Sequence, residues 1–458
     1  MLLLLACTTA PLRPNVLLVS MDTVRYDRTS LGGSRSTTPN LAALAAAGVT
    51  FADAYSVGNE SLTSHAALFT GLYPSEVAVP DYGSFGLPRS GPAPLAEVLA
   101  AYGYRTAAFT GGGHIVAGFG FDRGFDLFVG GSGEDAFGSF FDSVPAALAW
   151  MGSGEPEPWF CFVHGYDAHS PYVQRGPMRH PWSTAGATPR VESLLADPLA
   201  VEQLRGDTWF PDRQPSDFTH ASGRAILSTD FYRLPAEPRP EERVERLTAE
   251  ELAHVQDHYD SGVANADVWL GVLLSRVDLD NTVVIVVSDH GEDMLDHGFV
   301  NHRAGLWDST LHVPLVVAGP GFPAQSPRPG LVDLRSVLPT VLRAVGAALP
   351  AGVSAPPLQD HEPAELAFAE GVMDSVSVRS ASARLGMDDV HLASGFAPTA
   401  GRLYVDDQPV VALDDPRAEP LAAAILAWRR EVTPAAGSGA PIPAALRESL
   451  RERGYWTP

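Results

Sequence analysis

Two acidic clusters, each closing an apolar run, hold the groups best suited to chemistry. The first run is Asn15-Val16-Leu17-Leu18-Val19-Ser20-Met21-Asp22. The second is Thr282-Val283-Val284-Ile285-Val286-Val287-Ser288-Asp289-His290-Gly291-Glu292. In an open α/β sheet, ligands bind outside the carboxyl ends of the strands. Two such runs in one sheet would therefore aim Asp22, Asp289 and His290 into one crevice. Carboxylates with an imidazole suit a divalent metal, Mg²⁺, Ca²⁺ or Mn²⁺, and the imidazole tilts the set away from pure Ca²⁺. Such an ion can carry ester hydrolysis.

Positioning these ends requires alternating strands and helices. After the strand at 15–21, Thr38-Pro39-Asn40 opens a helix stopped by Gly48, with Thr38 as N-cap and Pro39 at the first helical position. Strands are expected at 49–54, 105–110, 159–164, 282–288 and 313–318, and helices at 93–102 and 332–345. Thr248-Ala-Glu-Glu251 reads as a capping box. The helix after it carries Leu252, Val255, Tyr259, Val263, Ala266, Leu270 and Leu273 on one apolar face. This rhythm predicts an α/β fold with a mostly parallel central sheet flanked by helices. A small C-terminal antiparallel α+β subdomain is expected from Val376-Ser-Val-Arg379, Val390-His-Leu392 and Arg402-Leu-Tyr-Val405, with helices at 417–431 and 443–453. The implied division is 1–14 as leader and linker, 15–360 as catalytic domain and 361–458 as C-terminal subdomain. Within the catalytic domain, Pro-rich residues 171–248 read as an insertion or lid.

The chain has 458 residues, 45% hydrophobic and 9% aromatic, enough for a large core, and a net charge of −23. That acidity argues against nucleic acid as a partner. There is no lysine, so every fixed cation is arginine and no lysine can serve as base or anion ligand. Cys7 and Cys161 are too few for a disulfide framework, and Cys161 in an apolar strand reads as a buried hydrophobe. Met1-Leu2-Leu3-Leu4-Leu5-Ala6-Cys7 resembles a bacterial lipoprotein signal ending in a lipobox. That resemblance implies export as a periplasmic or membrane-anchored lipoprotein, with a lipid anchor at Cys7.

A third segment joins the acidic ends: Ser61-Leu62-Thr63-Ser64-His65-Ala66-Ala67-Leu68-Phe69-Thr70-Gly71-Leu72-Tyr73-Pro74. Its hydroxyls stand where a helix starts, and their ordinary role there is N-capping. A helix N-terminus also favours an anion. Asp22 with Arg25 and Asp27, then Thr38-Pro39-Asn40-Leu41, this segment, Asp167-Ala168-His169-Ser170-Pro171-Tyr172, Ser-Asp-His-Gly-Glu at 288–292, Val313-Pro314-Leu315, Gly319-Pro320-Gly321 and the Leu450-Arg-Glu-Arg-Gly-Tyr455 ending occur in order. In that order they resemble the sulfatase family of the alkaline phosphatase superfamily, over nearly the whole chain.

The resemblance implies a hydrolase of sulfate or phosphate esters, acting on a small molecule or a glycan. It implies one metal on Asp22, Asp289 and His290, with Ser61 as nucleophile and exchangeable ligand. His169 and His302 would bind the ester oxygens, with His302 as leaving-group acid. His114 is a further substrate-binding candidate, and His65 would meet the anion in place of a family arginine. His65, His114, His164 and His297 rank behind His169 and His302, and Glu292 and Asp293 would orient ligands. In the family pattern Cys/Ser-x-Pro-Ser-Arg, this chain has Thr63 for the proline and His65 for the arginine, so formylglycine at residue 61 is not expected. Thr23 replaces a second aspartate. A plain serine favours a phosphoester. Three alternatives stand beside this reading: a phosphoethanolamine or phosphoglycerol transferase of the same superfamily, a non-catalytic binding protein on the same fold, and a two-metal phosphatase using Asp167, His169 and His302.

Overall fold

The computed structural model describes residues 13–77, 86–130, 137–153, 158–172, 245–296, 300–302, 305–360, 363–371, 376–387, 401–405, 408–410 and 416–432, with isolated pieces between 182 and 206. The leader with Cys7, most of the 171–248 insertion, the 390–392 strand, the 443–453 helix and His297 lie outside the described residues.

An eight-stranded sheet forms the centre. Its strands are β1 (Asn15–Met21), β2 (Val49–Tyr55), β3 (Arg105–Phe109), β4 (Leu127–Val129), β5 (Trp159–Gly165), β6 (Thr282–Val287), β7 (Leu315–Ala318) and β8 (Arg328–Asp333). The spatial order is β8-β2-β7-β6-β1-β5-β3-β4. Only β7 runs against its neighbours β2 and β6; the other pairings are parallel. β1, β5 and β6 are buried along nearly their whole lengths. Their near-continuous apolar sequence reflects this, because a parallel sheet is covered on both faces. One face carries α2 (Ser61–Thr70), α3 (Leu95–Ala101) and α6 (Val337–Val345). The other carries α1 (Pro39–Ala47), α4 (Phe140–Gly152) and the 26-residue α5 (Ala249–Leu274).

Local signals explain most boundaries. α1 opens at Pro39 behind Thr38 and stops at Gly48. α5 starts on the expected capping box: Thr248 accepts from the Glu251 amide at 3.2 Å, and Glu251 accepts from the Thr248 amide at 2.8 Å. The helix expected over 332–345 is corrected at its start. Residues up to Asp333 belong to β8, paired with β2, and α6 begins at Val337.

A second, antiparallel sheet follows in the C-terminal part: β9 (Ala367–Glu370), β10 (Val376–Arg379), β11 (Arg384–Met387), β12 (Gly401–Val405) and β13 (Gln408–Val410). α7 (Ala418–Glu431) packs on it. Together they bury Val376, Val378, Leu385, Ile425 and Trp428 against Val57, Ala67 and Tyr73. The second sheet therefore backs α2 and the chain that leads into it.

Candidate active site

Register delivers the acidic ends to one level. Ser20 of β1 is opposite His164 of β5 and Val287 of β6. Continuing past the ladder sets Asp22 beside Tyr166 and Asp289. Thr23 then takes a left-handed conformation (φ 60°) that β-branched residues rarely adopt. Its amide donates to Asp289 Oδ1 at 3.2 Å, and Tyr259 Oη on α5 donates to its carbonyl at 2.6 Å. The bend thus ties the ends of β1 and β6 together.

Ser61 is the first residue of α2, and the N-cap position belongs to Glu60, without a side-chain cap bond. Thr63 Oγ1 donates to Glu60 O and Ser64 Oγ to Gly58 O, both at 3.0 Å. None of the three hydroxyls caps a helix amide. Ser61 Oγ instead lies 3.0 Å from Asp22 Oδ2 and 3.3 Å from His290 Nε2. His290 Nδ1 donates to the Gly291 carbonyl at 2.9 Å, which leaves the Nε2 lone pair facing Ser61. One donor atom from each of Asp22, Asp289 and His290 lies within 4.8 Å of the others.

Two buried oxygens in this group, Asp22 Oδ1 and Asp289 Oδ2, have no hydrogen-bond partner. Leaving buried carboxylate oxygens unpaired costs several kcal/mol unless a cation takes them up. The donor set therefore fits a divalent ion. The electrostatics agree. Burial, then the neighbouring Asp289, pushes the Asp22 carboxyl well above the usual carboxylate range. Burial also acts upward on Asp289, but the His290, His65 and His164 imidazoles outweigh it and bring it to about 2. Two carboxylates this close cannot both stay ionised in a dry pocket without a positive charge between them.

The histidines divide into two groups. His164 and His65 lie beneath the site and are fully buried. His164 Nε2 donates to Asp22 Oδ2 at 3.1 Å, while its Nδ1 accepts from the Gly111 amide. His65 Nδ1 donates to Ser61 O at 2.8 Å and its Nε2 accepts from Ser20 Oγ at 3.0 Å. Both His65 nitrogens are thus spent holding Ser61 to β1, and the expectation that this ring meets the anion is corrected to a positioning contact. Burial, followed for His164 by its neighbour His65, lowers both pKa values.

His302 and His169 lie beside the ligands. The His302 ring centroid is 4.2 Å from that of His290 and 5.4 Å from that of His169. His302 Nδ1 faces Glu292 Oε1 at 3.3 Å, an orientation that turns Nε2 away from Glu292. Asn59, two residues before Ser61, donates to His302 O at 2.9 Å and so ties this loop to α2. His169 stacks on Phe137, with centroids 5.2 Å apart. His114 is joined through Tyr166: the His114 amide lies 3.3 Å from Tyr166 Oη, and the Tyr166 ring packs on His164 and His169. Gly113 (φ 60°) allows that approach, since a Cβ there would fall 2.3 Å from Tyr166 Oη. Asp167 spends Oδ2 on the Phe140 amide that opens α4, at 2.8 Å.

Sequence reasoning missed Tyr166, Asn59 and the rank of His164. The sole signal for Tyr166 was its place between His164 and His169 just past a strand end. Arg25 forms a paired fork with Asp27 (2.8 Å twice), reaches Asp296 at 2.5 Å and Glu292 O at 3.2 Å, and so braces the second ligand loop. The C-terminal sheet braces it from the other side. Arg379 reaches Asp308 at 2.5 Å, Arg384 Nε lies 3.6 Å from the same carboxylate, and Arg384 also donates to Leu306 O. Asp308 opens the short helix Asp308–Leu311. From that helix Thr310 O accepts the Gly291 amide at 2.8 Å, and Ser309 Oγ donates to Asp293 Oδ2 at 3.0 Å.

The sulfatase family model matches residues 14–347. Arylsulfatase K of Mus musculus is 34% identical over 113 residues, 24% of this chain and 20% of that protein. Arylsulfatase K of Danio rerio is 30% identical over 190 residues, 39% of this chain and 33% of that protein. The aligned segments thus span a fifth to a third of those relatives. Among solved structures, the phosphonate monoester hydrolase of Agrobacterium radiobacter superposes with a TM-score of 0.66 at 19% identity, covering 92% of this chain and 96% of that one. A 2-O GAG sulfatase gives 0.64 at 19% identity, covering 92% and 91%. A structure in complex with its substrate D-glucosamine-2-N,6-O-disulfate gives 0.63 at 17% identity, covering 96% and 98%.

Proposed function

We propose, from the premise that this chain belongs to the sulfatase family, that it is a metal-dependent hydrolase of phosphate or sulfate esters with an unmodified Ser61 as nucleophile. The observation that carries this reading is the position of Ser61 Oγ, within hydrogen-bond reach of Asp22 Oδ2 and His290 Nε2 at once. Asp22, Asp289 and His290 would hold the ion, Ca²⁺, Mg²⁺ or Mn²⁺, with Ser61 as exchangeable ligand. When bound, it lowers the pKa of the serine hydroxyl and takes up charge on a nonbridging ester oxygen.

The chain's own residues supply the rest. His65, held between Ser20 Oγ and Ser61 O, fixes the first turn of α2 so that Oγ faces the ligand atoms. The Ser61 proton is held at Asp22 Oδ2. Attack of Oγ on phosphorus or sulfur forms one O–P or O–S bond and breaks the ester bond. His302, carrying a proton on Nε2 and steadied by Glu292, gives that proton to the departing alcohol oxygen. His169 and the N-terminus of α2 stabilise the charge on the transferred group. Water then cleaves the phospho- or sulfo-serine, returning the hydroxyl and releasing inorganic phosphate or sulfate. Thr63 and His65 stand where sulfatase maturation reads proline and arginine, which supports a plain serine and favours the phosphoester. The relatives and neighbours named above set the panel of test esters: aryl sulfates, phosphate and phosphonate monoesters, and sulfated glucosamine.

The test pairs peptide mass spectrometry of residue 61 with aryl phosphate and aryl sulfate assays on metal-loaded protein and on Ser61→Ala. An unmodified serine, with phosphoester turnover abolished in the variant, is the expected result. A loss of two mass units at residue 61 together with sulfate release would replace this reading with a formylglycine sulfatase. An unmodified serine without turnover on any ester would leave a binding protein on the same fold.

A further inference from the structure

A second group of metal-competent side chains lies on α5, outside the Asp22–Asp289–His290 cluster. His254 and His258 are one helical turn apart, both buried, with relative exposures of 8% and 4%. Their Nε2 atoms are 3.2 Å apart, and the ring centroids are 4.7 Å apart at an interplanar angle of 82°. Positions i and i+4 of a helix share a face, so the helix itself fixes this separation. The capping box at Thr248 and Glu251 stiffens the turn that carries His254.

We propose that His254 and His258 form a second metal site, a bis-imidazole chelate for Zn²⁺ or a related borderline cation such as Ni²⁺ or Cu²⁺. A tetrahedral ion with Zn–N bonds of about 2.0–2.1 Å separates two ligand nitrogens by about 3.3 Å, which is the spacing seen here. The donor type separates the two sites. Imidazole nitrogens select Zn²⁺, Cu²⁺ and Ni²⁺, whereas the carboxylate-rich cluster at Asp22 and Asp289 accepts Mg²⁺, Ca²⁺ or Mn²⁺. The nearby acids of α5 are already engaged: Asp257 and Asp260 pair with Arg35 at 2.6 and 2.7 Å. Water or a further donor would complete the coordination of the ion.

The location gives the site a structural role. On the same helix, Tyr259 holds Thr23 O and the Arg25 amide. One turn beyond His258, Gly262 lies so close to Asp167 and Ala168 that a Cβ would fall 2.3 Å from Asp167 O. A cation bridging residues 254 and 258 locks the helical turn that buttresses both the Thr23 bend and the Asp167–Tyr172 loop.

An imidazole–imidazole hydrogen bond has a similar length, so the experiment must separate the two. Full-length protein is stripped of metal, dialysed against excess Mg²⁺ with limiting Zn²⁺, and analysed for bound zinc by mass spectrometry. Co²⁺ substitution then reports tetrahedral coordination through its visible d–d bands. The expected result is one zinc per chain in the wild type, none in His254→Ala or His258→Gln, and one retained in Asp289→Ala. Circular dichroism of each variant establishes that it is folded, and His258→Gln keeps the buried volume. Zinc retained in both histidine variants, or absent from the wild type, would reduce the pair to a hydrogen bond and overturn the proposal. Zinc lost in Asp289→Ala alone would assign the ion to the strand-end cluster. Because the readout is stoichiometry, it stands apart from the esterase reading, which fails or holds on turnover.

Discussion

The strand-end cluster is fully buried and the Asp308 clamp half-buried, and their charges are arranged in opposite ways. Around Asp22 and Asp289, two carboxylates crowd together and two of their oxygens accept no hydrogen bond. Around Asp308, a single carboxylate is flanked by Arg379 and Arg384. The first group has negative charge to spare and waits for a cation. In the second the carboxylate is compensated by arginine, and its short helix is bonded to Gly291 and Asp293 in the loop after Asp289. Uncompensated charge marks where chemistry is expected, and compensated charge marks what holds it in place.

The sharpest way to break this contrast is to remove charge from the unbalanced side. Asp289→Asn should cut metal affinity and lower turnover by about a thousandfold, comparable to removing one key electrostatic group from an active site. Burial and the neighbouring Asp289 penalise the charge on Asp22 instead, so Asp22→Asn should keep or gain stability in metal-free buffer. A loss of metal-free stability in Asp22→Asn would show that its charge was already compensated. The same operation on the balanced side should do the reverse. Asp308→Asn removes the charge that faces Arg379 and the buried Arg384, which should cost about 3 kcal/mol of stability. Its metal affinity should fall less than that of Asp289→Asn, with kcat less affected than apparent metal binding. Denaturant melts and metal titrations on the two variants read both quantities.

Metal removal sharpens the comparison from the ligand side. In zinc-free buffer, a chelator should lower the stability of the wild type by about 2.7 kcal/mol relative to protein held in Mg²⁺ at a hundredfold excess over its dissociation constant. In Asp289→Asn the same treatment should change the melting temperature little. Equal chelator shifts in both proteins would place the bound ion elsewhere in the chain.

How much of this was legible depended on how local each signal was. The apolar runs ending at Asp22 and Asp289 announced buried parallel strands, and the chain punctuation at Thr38, Gly48 and Thr248 marked helix ends that the structure reproduces within a residue or two. Strand β8 was hidden because Arg328-Pro329-Gly330 breaks any alternation, and only pairing with β2 makes it a strand. The reversal of β7 has no local signature either, since a buried apolar run reads the same in both directions. At the site, Asp22, Asp289, His290 and Ser61 were visible as a motif order. The contacts that position them were not: His164 meets Asp22 across 142 residues and Asn59 meets His302 across 243. Such partners are chosen by strand register and loop packing, which no window of sequence contains.

The smallest expected effect concerns Asp167, a buried carboxyl beside the site whose pKa is set mainly by burial, with Asp142 adding to the rise. Burial pushes its pKa up to about 7, while the Phe140 amide acts in the opposite direction. The folded value lies above the unfolded value of about 3.9, so folding favours the protonated form. The contribution is fully present below about pH 4 and is lost as pH rises toward 7. Asp167→Asn keeps an oxygen for the Phe140 amide and removes the titration. Between pH 5 and 7 the wild type should therefore lose on the order of 1–2 kcal/mol relative to this variant, read as diverging melting temperatures in metal-free buffer. Parallel curves would mean that Asp167 is ionised in the native state across this range. The helix dipole and amide at the start of α4 would then be compensating its charge, and this third carboxylate would join the balanced side of the comparison.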